Sequence, residues 1–343
     1  MRILVIRRDN IGDLVCTTPL IAALRKRFPE AWLGALVNSY NAPVLAGNPD
    51  LDEVVAYTKL KHLGPGESAL GALWARVSAF VRLRRAGIDY VLLATPRFSP
   101  RLLRLARWLN ADSVVGFADG SVASLALGHA TPLSQVEGRH EVERVFALAA
   151  HFEIDGAIPA LKVVPDRDER AQAEALLRPQ PRPRIAVHIS ARRPAQRWPV
   201  ERFAALIEQL HDQYGASIAL LWSPGPSDAP RHPGDDDKAN EVIARVGERA
   251  PLVAYPTLQL AQLIGVLAAC DLVVCADGGA MHLAAALGKP IVALFGDAPA
   301  ARWRPWGVPH RLLQPLSGEV SEIAVGEVVT AVGSLLGIGA APA

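Results

Sequence analysis

The stretch from Asp271 to Gly296, DLVVCADGGAMHLAAALGKPIVALFG, limits the possible architecture of this chain more than any other. Leu272 to Cys275 is apolar with β-branched residues, Asp277-Gly278-Gly279 interrupts it, Met281 to Leu287 favours helix, and Pro290 to Phe295 is apolar again. The pattern is strand, glycine turn, helix, strand. Consecutive glycines let backbone N–H groups approach a bound group. The helix that follows opens with about four unpaired N–H groups and the positive end of its dipole. A phosphate fits such a place, and so does an ordinary α/β turn that binds nothing. His282, in the first helical turn, suits a packed core histidine as well as a ligand contact. The GxGxxG spacing of a dinucleotide fold and a Walker A lysine are both missing from the stretch.

The same alternation recurs from the amino terminus. Ile3 to Ile6 reads as a buried strand, Arg7 to Leu14 as a loop, and the segment through Phe28 as a helix with Leu20, Leu24 and Phe28 on one face and Pro19 at its start. Strands follow at Trp32 to Val37, Asp52 to Tyr57, Tyr90 to Ala94 and Val114 to Phe117. KHLGPGES reads as a loop, Ala69 to Arg85 as an amphipathic helix, Ser121 to Ser134 as a polar, mobile region, and Arg139 to Phe152 as helical. Repeated βα units predict parallel sheets covered on both faces. With 343 residues there is room for two domains, and the proline- and charge-rich interval Pro159 to Arg184 holds the boundary. The expected division is 1–170, 183–325 and a terminal helix and tail at 326–343.

After the boundary, Ile185 to Ile189 begins a new strand and SARRPAQRWPVERFAALIEQL a loop leading into an amphipathic helix. Ser217 to Trp222 is another strand, SPGPSDAPRHPGDDDKAN a long loop, and Val253 to Tyr255 with Leu258 to Ala268 one more strand and helix. Asp235, Asp236 and Asp237 beside Lys238 read as solvated loop rather than a metal site. Arg302 to Gly307 reads as a rigid aromatic loop, and Ile323 to Leu336 as a final helix.

Open parallel sheets bind ligands beyond the carboxyl ends of their strands, where Gly12 and Asp13 fall. A carboxylate there can take a proton from a substrate hydroxyl, and Thr17 and Thr18 can donate hydrogen bonds. Asp13 suits a helix cap or loop anchor equally well. Ser190, Arg192, Arg193 and Arg197 could hold a pyrophosphate, although loop arginines are often only surface, and Trp198 reads as packing. His129 and His140 are substrate contacts or lone surface histidines.

Charge narrows the partners. Thirty-six basic against 34 acidic residues give net +2, which is no general nucleic-acid footprint. Arg76, Arg82, Arg84, Arg85, Arg97, Arg101, Arg104 and Arg107 are opposed only by Asp89. That run is a solvated helix surface or a contact for an anionic leaflet or a lipid-linked acceptor. Cys16, Cys270 and Cys275 form no CxxC pair, which suits a reducing cytosol. No apolar run reaches 18 residues and charge follows the first strand at once, so the expectation is a cytoplasmic protein, at most peripheral at the inner face of the inner membrane.

Several segments together resemble one family: IGDLVCTTPLIAALRKRFP, DYVLL with the later VVGF, HIS…QRWPVERFAALIEQL, and DLVVCADGGAMHLAAALGKPIVALFGDAPAARWRPWG. They are similar to the bacterial lipopolysaccharide heptosyltransferases, the ADP-heptose-using glycosyltransferase family 9. The resemblance implies an α/β protein of GT-B fold, two Rossmann-like domains with parallel sheets facing a central cleft. It implies an acceptor-binding first domain and a second domain that binds ADP-L-glycero-β-D-manno-heptose. The implied reaction is inverting transfer of heptose to the inner-core oligosaccharide of lipid A-linked lipopolysaccharide, with no required metal and no cofactor. Asp13 would be the general base, with Gly12, Thr17 and Thr18 supporting it. His188, Ser190, Arg192, Arg193, Arg197, Asp277, Gly278, Gly279 and His282 would hold the donor. Two positions depart from the family pattern. Gln196 stands where a lysine often precedes the RWP-like motif, and Gly278 where a hydroxyl residue is usual. Alternatives of other classes are another nucleotide-sugar transferase or an epimerase of the same architecture, and a non-catalytic saccharide-binding homologue.

Overall fold

The computed structural model describes residues 1–57, 69–228 and 234–337. The KHLGPGES segment and residues 229–233 of the long loop lie outside them. The chain divides into two compact units, Met1–Val164 and Pro165–Ala343.

In the first unit the elements are β1 (Arg2–Ile6), α1 (Ile11–Val15), α2 (Thr18–Arg27), β2 (Trp32–Asn38), β3 (Glu53–Tyr57), α3 (Ala69–Arg85), β4 (Tyr90–Leu93), α4 (Pro100–Trp108), β5 (Ser113–Ala118), β6 (His129–Pro132) and α5 (Glu141–Phe146). Every strand pairing is parallel and the order is β3-β2-β1-β4-β5-β6. Alternate residues Leu4 and Ile6 share a face with Leu36, Val91 and Leu93, and pack under Phe80 and Leu83 of α3 and Leu102 and Leu103 of α4. That period of two, on strands buried throughout, fixes the register, because a one-residue slip would turn each apolar set to the opposite face.

The second unit contains α6 (Arg167–Leu177), β7 (Arg184–His188), α7 (Val200–Tyr214), β8 (Ser217–Trp222), α8 (Asp236–Val246), β9 (Leu252–Pro256), α9 (Leu260–Ala269), β10 (Leu272–Ala276), α10 (Gly279–Ala286), β11 (Ile291–Leu294), α11 (Ala300–Trp303), β12 (His310–Leu313) and α12 (Val325–Leu335). Its sheet is again wholly parallel, ordered β12-β11-β10-β7-β8-β9. Both sheets therefore wind outward in two directions from a central strand, the doubly wound order of a Rossmann-like domain. In the first unit the order reverses between β1 and β4, and in the second between β7 and β10.

Several elements differ from the sequence expectation. The division falls at Val164, and α6 belongs with the second unit. It packs on α9 so closely that a Cβ at Gly265 would sit 2.8 Å from the Glu169 backbone. The terminal helix α12 lies on α7 in the same unit, with Gly333 against the Tyr214 ring. The segment Ser121 to Ser134 contains edge strand β6. Of Asp235 to Asp237, expected as solvated loop, only Asp237 is exposed, and it lies in the first turn of α8. Asp235 is buried, and Asp236 opens α8 and accepts from Trp222 Nε1 at 2.7 Å and Gly225 N at 2.9 Å. Part of the aromatic loop is the short helix α11.

Candidate active site

In the first unit the chain leaves β1 beside the end of β4 and enters α1, so residues 7–13 occupy the switch point. The segment expected to be loop is partly helical. Asn10, in extended conformation, caps α1, and Asp13 is its third residue. Asp13 Oδ2 accepts from Asn10 N at 3.0 Å and Asn10 Nδ2 at 2.9 Å, the return half of a capping box. Its Oδ1 lies 2.5 Å from Arg7 Nη2. A carboxylate offers about four lone-pair directions, and these bonds use three, leaving one for an incoming hydroxyl.

Arg7 organises this end of the sheet. Its side chain is 2% exposed, donates to the Ala94 carbonyl and to Glu141 Oε1 at 2.8 Å, and approaches Asp9 Oδ2 at 3.3 Å. Asp9 also accepts from Thr95 Oγ1 at 2.9 Å and Arg97 Nη2 at 3.2 Å. The loop backbone is pinned by Asn38 Nδ2 on the Arg8 carbonyl and Tyr40 on the Asp9 carbonyl. Burial pushes the Asp13 carboxyl up, but Arg7 and the Asn10 hydrogen bonds outweigh it and hold Asp13 below the ordinary carboxylate range. Gly12 is buried in α1.

Thr17 and Thr18 do not offer their protons to a ligand. Both are fully buried, with Thr17 Oγ1 bonded to the Asp13 carbonyl at 2.9 Å and Thr18 Oγ1 to the Val15 carbonyl at 2.8 Å. Thr18 Oγ1 also accepts from Lys162 N. Their contribution is to anchor the backbone around α1 and α2. His140 is likewise no surface residue: it is buried and caps α5, its Nδ1 accepting from Val142 N. His129 is exposed beside the His151 ring.

In the second unit the end of β7 brings His188, Ile189 and Ser190 beside the end of β10, where Asp277, Gly278 and Gly279 lead into α10. Gln196 lies in the short 3₁₀ turn before α7 and donates to Asp277 Oδ2 at 3.1 Å. Burial raises the Asp277 carboxyl above its ordinary value against the opposing pull of Arg193 and Gln196. Gly278 is extended, and a Cβ there would meet open space. His282 is buried in α10, edge-on to Trp303 at 5.9 Å. Trp198 is core: it donates to the Ile323 carbonyl at 3.0 Å and packs on Phe203.

The cations differ in availability. Arg192 is exposed, Arg193 is exposed and 3.3 Å from Asp297 Oδ1, and Arg197 Nε is tied to the Ala191 carbonyl. Ser190 Oγ accepts from Ser223 N at 2.9 Å. His188 cannot serve as a cation near neutral pH, because burial, then the charge of Lys238, lowers its pKa to about 4. Lys238, carried by α8, donates to the Ile189 carbonyl at 3.0 Å over the Phe203 ring, and burial lowers it to about 8. Sequence reasoning passed over Arg7, Glu141 and Lys238 as site residues. The available signals were a charged residue directly after a buried strand, and a lysine at the start of a helix hidden behind three aspartates.

Two Rossmann-like units, each with polar and charged groups gathered at its switch point, define the GT-B class of glycosyltransferase folds. The chain belongs to glycosyltransferase family 9 (heptosyltransferase), whose family model matches residues 76–315. Lipopolysaccharide heptosyltransferase 2 of Salmonella typhimurium is 26% identical over 334 residues, 93% of this chain and 89% of its own. The solved glycosyl transferase family 9 structure from Veillonella parvula superposes with TM-score 0.81 at 20% identity, over 98% of this chain and 97% of its own. The ADP-heptose lps heptosyltransferase II of E. coli does so with TM-score 0.77 at 24% identity, over 98% of both chains.

Proposed function

We propose that this protein is an inverting heptosyltransferase, moving heptose from ADP-L-glycero-β-D-manno-heptose to the inner-core oligosaccharide of lipopolysaccharide. The observation that carries the reading is Asp13, fixed at a switch point with one lone pair unfilled, in a chain of the heptosyltransferase family. An acceptor hydroxyl donating to that lone pair loses its proton to Asp13 as its oxygen attacks the anomeric carbon. The bond from that carbon to the ADP β-phosphate oxygen breaks, and a single displacement inverts the centre. Negative charge grows on the departing diphosphate, so cations and N–H groups aimed at it act most strongly in the transition state. In this reading the start of α10, Arg192, Arg193 and Lys238 meet the diphosphate, and Gln196 holds Asp277 in place.

Partners follow from the acceptor's lipid anchor. Leu70, Leu73, Trp74 and Val77 fall at helical spacing on α3 and are exposed, Leu70 and Trp74 at 72%. Among the described residues, α3 and α4 contain seven arginines and no acidic residue. Apolar and aromatic groups flanked by arginine suit contact with an anionic leaflet. No helix among the described residues is long and apolar enough to cross a membrane.

The test is incubation with ADP-heptose and a heptose-deficient core acceptor. The reading expects ADP release matched by one heptose of added acceptor mass. ADP release without a heavier acceptor, or no release across a panel of core acceptors, contradicts it.

A further inference from the structure

The pairing of Arg7 with Glu141 joins residues 134 apart in sequence at the end of the first sheet. Glu141 is fully buried, and burying an ion pair in place of packed apolar groups is rarely a net gain. Nor does Glu141 close the start of α5. That is done by Glu143, whose Oε2 accepts from His140 N at 2.9 Å. What Glu141 does do is share Nη2 of Arg7 with Asp13, at 2.8 Å and 2.5 Å respectively.

We infer that Glu141 is a positioning residue for the base, keeping Arg7 balanced when Asp13 takes up a proton; this rests on the reading of Asp13 as that base. The charged group facing Asp13 is Arg7; against Arg7 stand Asp9 from the end of β1 and Glu141 from α5, with Arg97 beyond β4 acting through Asp9 and Arg144 of α5 4.0 Å from Glu141 Oε2. In the resting state one buried guanidinium meets three carboxylates. A proton on Asp13 neutralises one of them, and Arg7 keeps Glu141 and Asp9. Without the Glu141 charge, protonation would leave Arg7 with Asp9 as its one charged carboxylate, at 3.3 Å and partly in solvent. Asp13 would then cling to its ionised form and be a weaker base.

Glu141→Gln keeps the shape and removes the charge. The expected result is a kcat reduced by about 10-fold, donor and acceptor KM within about twofold, and the acid limb of the kcat profile displaced downward by roughly one pH unit. A loss in KM alone, or an unmoved acid limb, overturns the inference. A second measurement needs no turnover. In urea at pH 7, the double variant Asp13→Asn with Glu141→Gln should lose more midpoint than the two single variants together, because each carboxylate compensates Arg7 when the other is missing. Additive midpoints overturn the sharing of Arg7, whatever sugar the protein transfers. Should Glu141→Gln fail to fold, Asp9→Asn takes its place in the same cycle, with a smaller effect of the same sign expected and additivity again counting against the inference.

Discussion

Gln196 Nε2 donates to Asp277 Oδ2 across 3.1 Å, tying the turn before α7 to the carboxylate that follows β10. A neutral amide thus faces a carboxyl that burial has already pushed up. Gln196→Lys would put an ammonium in the same place and add a cation for a diphosphate. The expected outcome is ADP affinity raised by about 3- to 10-fold in calorimetry, with steeper salt dependence. Unchanged affinity would place the diphosphate away from this turn.

His188 gives stability a pH dependence of predictable sign. Its pKa is about 4 in the folded protein and near 6.5 when exposed, so above 6.5 both states are neutral and nothing is lost. As pH falls below 6.5 the unfolded chain binds the proton first, and stability declines until about pH 4. Between pH 7.5 and pH 5 this amounts to about 2 kcal/mol. Urea unfolding at the two pH values should show that the dependence shrinks by this amount in His188→Gln.

Contact with an anionic leaflet makes a separate prediction. Replacing Arg101, Arg104 and Arg107 by alanine should weaken binding to phosphatidylglycerol vesicles by roughly 100-fold, at about 1 kcal/mol per arginine. Trp74→Ala should weaken it further without changing its salt dependence. Equal sedimentation with zwitterionic vesicles, or none with either, would leave the arginines as a solvated surface.

These sites were unequally legible in the sequence. Central strands such as Ile3 to Ile6 and Leu272 to Cys275 declare themselves because burial on both faces demands continuous apolar residues. The edge strands β6 and β12 are short, carry His129 and His310, and are covered on one side only, so no such run marks them. Helix α8 was hidden by Asp235 to Asp237, which look like a run of solvent-exposed charge until Trp222 and Gly225 supply donors to Asp236 from elsewhere in the chain. Asp13 and the Asp277 to Gly279 turn could be located by their place after strands. The partners that set their behaviour, Arg7 with Glu141 and Gln196 with Asp277, are joined only by folding.

The central claim is that Asp13 takes the proton from the acceptor hydroxyl. Its most direct test is Asp13→Asn, which preserves size and keeps an oxygen to accept from Asn10 N at the start of α1, assayed for heptose transfer alongside ADP binding and thermal unfolding. Loss of a general base predicts a kcat lower by about 100-fold or more, with ADP affinity unchanged and a folded protein. Turnover within about threefold of the parent would contradict the claim.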